Sequence, residues 1–391
     1  MPVSTTASAP PVLFLLSSVT SGGSETKTVR LANTLAARGR RVIVAYLELP
    51  DRLVRALDPA VESVDLQRRG KFSVGALLRL VRLVRRRGVS VMVAINLYPA
   101  LYAYLATWLL RGPRRHVIAW VNTTEFGSRK ESAQMRLYRR VLNRLDLVLF
   151  GAESQRKLWC ERYAMNDSNE RCAVLYNGVD AVRFSRAAVE PLAAAAAPET
   201  RFLVGTVGRL APEKAHVHLV RAVADLRTRG LDVGALIVGA GPERAQIEAE
   251  IRHARMEPFV RIVGESADVR PYLARMQIFV LCSVAVETFS NATLEAMAMG
   301  CPVVSARVGG MEEMLRWGGG LTYPAGDVAA LTQALSDLLD DSPRLAQMSS
   351  EARNAAVTHF SWSQMVSEME ACIQRVSCGT PASRSMTARS A

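Results

Sequence analysis

The stretch from residue 278 to 305, IFVLCSVAVETFSNATLEAMAMGCPVVS, reads as strand, loop, helix and strand. The apolar runs Ile278 to Leu281 and Pro302 to Ser305 are short and enclose a helix-length segment, which is the repeating unit of a parallel sheet. Ser290 or its neighbour can cap a helix whose first open backbone N–H groups fall at Asn291, Ala292 and Thr293, and Gly300 with Pro302 ends it. A helix start of this kind attracts anions. Helical side chains lean toward the N-terminus, so Glu295, one turn beyond Asn291 on the same face, looks back toward whatever the N–H groups hold. Glu287 precedes the helix and approaches from outside. Two carboxylates beside an anion cradle suit a ligand with both phosphate and hydroxyl groups, a description that fits a nucleotide sugar.

The same alternation extends outward through the chain. Before it come the apolar runs Phe202 to Val207, Gly234 to Val238 and Val260 to Val263, each separated by a helix-length segment. Further upstream an equivalent series has strands at Val12 to Leu16, Val42 to Tyr46, Val91 to Ile95, Val117 to Trp120 and Leu147 to Phe150. Helices are expected over Thr26 to Arg38 and Met135 to Leu145. Between the two series lies a segment with five consecutive alanines between Pro191 and Pro198, the composition of a linker. The fold class is therefore α/β, two Rossmann-like doubly wound domains. The expected divisions are a flexible N-terminus at 1–11, a first domain at 12–185, a linker at 186–200, a second domain at 201–360, a C-terminal helix at 361–378 crossing back to the first domain, and a disordered tail at 379–391.

Composition narrows the class. The 391 residues suffice for two well-buried cores, and 49% apolar with 22% charged content is that of a globular protein. The net charge of +13 is uneven: residues 1–190 carry 30 Lys and Arg against 15 Asp and Glu, whereas residues 191–391 carry 19 against 21. The first half is thus the one to meet an anionic surface or acceptor. With 6% aromatic residues and no recognisable module, a nucleic-acid partner is not expected. The six cysteines form no CxxC pair, which speaks against zinc or a disulfide framework and for buried thiols in a reducing compartment. The longest apolar run, Ala100 to Leu110, is about half of the ~20 residues that a membrane-spanning helix needs, and Val12 to Leu16 is too short for a signal sequence. A cytoplasmic location is expected, with room for peripheral contact on the membrane face. The segment Val74 to Arg87, VGALLRLVRLVRRR, is basic and amphipathic, and is expected to pack on the sheet with its arginines in solvent.

Three loops add chemistry. Gly208-Arg209-Leu210 and Glu213-Lys214 follow the strand at 202–207, so a planar guanidinium fork and a point charge stand at a sheet's carboxyl edge. The turn IVGAGPER at 237–244 has half of a dinucleotide fingerprint, with Arg244 where a third glycine would be; a tight strand-to-helix turn is the better reading. Ser21-Gly22-Gly23-Ser24-Glu25 follows the first strand, and its glycines permit close approach of a ligand.

Assembled, the chain resembles the family 4 retaining glycosyltransferases, also called glycosyl transferases group 1, over about Val12 to Val376. The resemblance rests on SGGSE at 21–25 with LANTLAARGRRVIV after it, YNGVD at 176–180, GRLAPEK at 208–214, VGAGPE at 238–243 and ETFSNATLEAMAMGCPVV at 287–304. It implies the GT-B architecture, two such domains facing across a cleft, and transfer of a hexose from a nucleoside diphosphate sugar to a hydroxyl of a glycan or lipid-linked glycan, as in polysaccharide biosynthesis. By that resemblance Arg209 and Lys214 bind the diphosphate, Glu295 the ribose and Glu287 the transferred sugar. Phe289, Ser290, Asn291 and Thr293 hold the distal phosphate and sugar, with Gly239 and Val263 also on the donor side, and Gly22 and Gly23 line the acceptor side. No further cofactor and no metal is expected, since two cations and a helix terminus can replace a metal's charge.

Three departures stand out. Many relatives carry a histidine after the fourth strand of the first domain, where Asn122 stands here; asparagine can hydrogen-bond a sugar hydroxyl but cannot take up a proton. The glycine that commonly follows the lysine is Ala215, and a common proline before the carboxylate motif is Cys282; both read as packing changes. Two alternatives follow: a catalytically silent nucleotide-sugar-binding protein, motivated by Asn122, and a nicotinamide-dependent oxidoreductase, which rests on the 239–244 turn alone.

Overall fold

The computed structural model describes residues 10–19, 22–122, 129–166, 171–190, 192, 197–285 and 287–378. The expected N-terminal and C-terminal tails lie largely outside these residues, as do Ser21, Val286 and part of the Ala/Pro segment. Contacts divide the chain into two units, one of residues up to Leu175 rejoined by those from Val366, the other Tyr176–Met365.

The first unit contains β1 (Val12–Leu16), α1 (Gly23–Ala37), β2 (Val42–Tyr46), β3 (Glu62–Asp65), α2 (Val74–Arg87), β4 (Val91–Ile95), α3 (Leu97–Leu109), β5 (His116–Val121), α4 (Arg129–Leu142), β6 (Leu147–Phe150), α5 (Glu153–Tyr163) and β7 (Cys172–Val174). Its strands form one parallel sheet in the order β3-β2-β1-β4-β5-β6-β7. The order reverses between β1 and β4, so the loops after these two strands diverge and leave a crevice at the carboxyl edge. Every residue of β1, β2 and β4 is buried, as expected of central strands covered by helices on both faces. The basic helix α2 buries Ala76, Leu77, Leu80 and Val84 and keeps Arg85, Arg86 and Arg87 in solvent.

The second unit contains β8 (Phe202–Val207), α6 (Val217–Thr228), β9 (Val233–Val238), α7 (Arg244–His253), β10 (Val260–Gly264), α8 (Arg270–Arg275), β11 (Ile278–Leu281), α9 (Asn291–Ala298), β12 (Val303–Ala306), α10 (Met311–Leu315), β13 (Gly320–Tyr323), α11 (Val328–Asp340) and α12 (Ser342–His359). Its parallel sheet runs β10-β9-β8-β11-β12-β13, with the reversal between β8 and β11. The last helix, α13 (Trp362–Cys378), begins in this unit, and its residues from Val366 belong to the first. There Glu370 accepts from Arg38 at 2.5 Å.

Three strands had no counterpart in the sequence reading: β3, β7 and β13. Each is a sheet edge of only three or four residues; β3 is polar and partly exposed, as an edge strand can be, while β7 and β13 are too short to stand out as apolar runs. The Ala/Pro segment is held on the second unit near its start, where Arg186 donates to the carbonyls of Met276 at 3.0 Å and Met299 at 2.9 Å. Burial pushes the thiols of Cys282 and Cys301 up to about 12 and that of Cys372 to about 11, which removes them as nucleophiles near neutral pH. Cys378, by contrast, is exposed.

Candidate functional site

In the second unit the loops after β8 and β11 flank the strand reversal, and they carry the residues singled out above. Lys214 closes a short 3₁₀ turn, Pro212–Lys214, and its ammonium forms an ion pair with Glu287. Ser283 donates to the same carboxylate oxygen at 2.8 Å. Glu287 is only 7% exposed, so its charge is sustained by these partners rather than by water. The backbone ties the two loops together as well, Val284 N donating to the Glu213 carbonyl at 2.9 Å.

Ser290 caps α9 as the sequence suggests: its hydroxyl accepts from the N–H of Thr293 at 3.2 Å. Thr293 is fully buried. Asn291 and Glu295 are half-buried one turn apart on the same helix. Gly300 ends the element at a φ of +67°. Phe289 departs from the expectation of a ligand-facing side chain. Its ring packs between Tyr176 and Phe360, with centroids at 5.1 and 5.3 Å, and its carbonyl accepts from Asn177 at 2.7 Å. A large apolar side chain in a polar loop is driven into the nearest apolar cluster, which leaves the backbone N–H as what Phe289 can offer an anion. The YNGVD motif thus acts as the anchor of the carboxylate loop.

Arg209 is held differently from Lys214. Its guanidinium bonds Glu213 at 2.6 Å, yet the side chain is 70% exposed; such a surface pair is worth about 0–1 kcal/mol and lets the fork re-aim at an arriving anion. The loop under it is fixed by His216, which the sequence reading did not single out. The ring is buried and its Nε2 lies 3.2 Å from the Arg209 carbonyl. Burial pulls its pKa down to about 4, with Lys214 acting the same way and the carbonyl bond opposing. The ring is therefore neutral at pH 7, and a neutral imidazole facing a carbonyl must carry its proton on that nitrogen. No signal in the sequence marks this role, because the carbonyl that the ring holds lies seven residues back and is brought to it only by the fold of the loop.

Glycines explain the rest of the frame. Gly239, Gly241 and Gly309 stand where other main chain passes: an added Cβ would come within 1.8 Å of the Gly208 carbonyl oxygen, 2.2 Å of that of Leu210 and 1.6 Å of that of Glu287, respectively. The glycines of the 239–244 turn thus serve close backbone approach to the Arg209 loop, and Val263 lies beside Gly264, whose carbonyl takes the Gly239 N–H at 2.8 Å. Gly309→Ala is expected to cost about 2 kcal/mol or more through overlap and its positive φ, to lower the melting temperature accordingly, and to displace Glu287 enough to reduce any activity at least tenfold. Ala215, read from sequence as a packing change, occupies the left-handed region at φ +46°. The methyl group there costs about 1 kcal/mol relative to glycine.

The first unit holds the remaining residues. Gly22 caps α1 and Gly23 opens it. Asn122 follows β5, and its Oδ1 accepts from the ammonium of Lys27 on α1 at 2.8 Å. Arg209, Lys214, Gly239, Glu287 and the residues of α9 are gathered by one strand reversal, whereas Gly22, Gly23 and Asn122 sit at the other sheet's carboxyl edge.

Comparison with known proteins gives two family-model matches along the chain. Residues 21–183 match the model described as Glycosyltransferase Family 4, and residues 201–341 that of Glycosyl transferases group 1. A GDP-mannose-dependent alpha-(1-6)-phosphatidylinositol monomannoside mannosyltransferase of Mycolicibacterium smegmatis is 30% identical over 276 residues, 66% of this chain and 70% of the relative. An N-acetyl-alpha-D-glucosaminyl L-malate synthase of Bacillus anthracis is 25% identical over 361 residues, covering 89% and 93%. Among solved structures, HepE of Anabaena in complex with UDP has a TM-score of 0.79 at 20% identity, covering 93% of this chain and 99% of its own. That likeness identifies the two-domain α/β fold of GT-B enzymes. The chain belongs to the family 4 glycosyltransferases, also known as glycosyl transferases group 1.

Proposed function

We propose that this glycosyltransferase is a retaining hexosyltransferase, which moves a hexose from a nucleoside diphosphate sugar to a hydroxyl of a glycan or lipid-linked glycan in polysaccharide-type biosynthesis. The observation that carries this reading is the Lys214–Glu287 pair set beside the capped start of α9. Arg209, Lys214 and the N–H groups at Asn291 and Ala292 supply the positive potential that a departing diphosphate needs, so the reading assigns no metal to it. Glu295 takes the ribose hydroxyls and Glu287 the transferred sugar. Named donors among similar proteins support the class: GDP-mannose for the Mycolicibacterium relative, and UDP-glucose bound in another HepE structure. Closure around the donor excludes water and favours transfer over hydrolysis. Among the described residues no helix is long and apolar enough to cross a membrane; a lipid-linked acceptor would be met peripherally, through the basic first half of the chain.

Purified protein screened against a panel of nucleotide sugars is expected to gain about 2–3 kcal/mol of stability with its own donor at a hundredfold excess over Kd. Glu295→Ala should reduce that gain and lower donor kcat/KM about tenfold, the loss of one charge-assisted hydroxyl contact. Unchanged donor turnover in Glu295→Ala overturns the site assignment. Donor stabilisation with neither transfer nor hydrolysis favours a binding protein without catalysis, the reading that Asn122 in place of a histidine motivates.

A further inference from the structure

The reversal of strand order in the first sheet gathers three polar residues that the donor site does not explain. Asn96 ends β4 with φ +68° and ψ −178°, a backbone region that essentially only glycine occupies. Its N–H donates to the Trp120 carbonyl at 2.9 Å, and its side-chain Oδ1 accepts from the N–H of Asn122 at 2.9 Å. Glycine would adopt this conformation without strain but would bring no amide. What the strained residue supplies is therefore its side chain. Lys27, on α1, is 6% exposed; its ammonium donates to Asn122 Oδ1 and lies 3.8 Å from the centroid of the Trp120 ring. Burial pulls its pKa down to about 7, against the pull of Glu25.

We propose that Asn96 and Lys27 are positioning residues that lock the Asn122 amide into a single orientation for hydrogen bonding to a sugar hydroxyl during transfer. A charged ammonium has no acceptor, so while Lys27 is protonated only the oxygen of Asn122 can face it, and the amide cannot flip. The backbone of the same residue is pinned by Asn96, and its Nδ2 donates to the Trp120 carbonyl at 3.3 Å. The three residues come from the carboxyl ends of β4 and β5 and from the helix after β1, which are neighbours in the sheet. That edge is where ligands bind in open α/β sheets. Holding a neutral amide rigid in the transition-state geometry replaces proton transfer by orientation, which suits a retaining reaction that needs no base at this position. The inference rests on the proposed transfer reaction only in taking Asn122 to face a sugar.

The test uses the full chain with the donor found by the panel screen. Lys27→Met is expected to lower kcat ten- to a hundredfold, with KM for the donor and Kd for the free nucleoside diphosphate within about threefold of the parent. Lys27→Gln, which can still donate to Asn122, should recover about fivefold or more of the lost rate. Asn96→Gly relieves the strain while removing the amide, so its melting temperature should stay within about 3 °C as kcat falls about tenfold. An active parent whose Lys27→Met and Asn96→Gly forms keep full kcat overturns the positioning role alone. So does a loss of kcat that tracks a loss of melting temperature. A parent chain without transfer on any donor overturns the proposed function and this inference together.

Discussion

Lys214→Ala is expected to lower kcat/KM for the donor by roughly a hundred- to a thousandfold, the scale of removing one preorganised donor to a developing negative charge. Two effects combine. The variant loses the cation proposed to meet the leaving diphosphate, and it leaves Glu287 with its charge largely out of water. Breaking a buried pair from one side costs about 3–5 kcal/mol; since Lys214 retains 22% exposure, a loss nearer 1–3 kcal/mol is expected. The double change Lys214→Met with Glu287→Gln separates the contributions, because it removes both charges and should recover most of the stability with none of the activity. Steady-state kinetics and urea melts of the parent and these two variants measure both. Undiminished kcat/KM in Lys214→Ala would sink the assignment of this pair to the donor.

Lys27→Met is expected to stabilise the protein near neutral pH, by an amount that shrinks as the solution becomes alkaline. The lysine titrates at about 7 in the folded chain against an ordinary value of 10.5. Between these values the unfolded chain binds the extra proton, so parent stability rises with pH across that window. At roughly 1.4 kcal/mol per pKa unit, the cost of the buried charge is on the order of 5 kcal/mol. That cost is fully present below the folded value and gone above the unfolded one. The difference between variant and parent in denaturant melts should therefore be greatest at pH 7 or below and should fall toward pH 10, while other titrating groups cancel. A pH-independent difference would mean that Lys27 is not buried as a cation.

The central strands of both sheets were legible because they are uniformly apolar and separated by helix-length segments. Val42–Tyr46 and Ile278–Leu281 coincide with the structure to the residue, whereas the short edges β3, β7 and β13 lacked the pattern. The site was legible where it depends on charge and capping chemistry. Arg209, Lys214, Glu287 and Ser290 announce themselves by residue type next to a strand end. What escaped depends on three-dimensional neighbours: the carbonyl that His216 holds, the ring cluster that takes Phe289, and the lysine that meets Asn122 across 95 positions of sequence. The glycines at 239 and 241 were visible, but their purpose was not, since nothing in the turn itself says that a second loop runs against it.

The contacts of Gly239, Gly241 and Gly309 join main chain to main chain. These close approaches consequently do not depend on which side chains project from the loops. Exposed side chains on these loops, such as that of Arg209, can be varied with most library members expected to fold, provided those three glycines stay fixed. Selectivity and architecture are in this respect separately adjustable, and directed evolution would have a tolerant starting point.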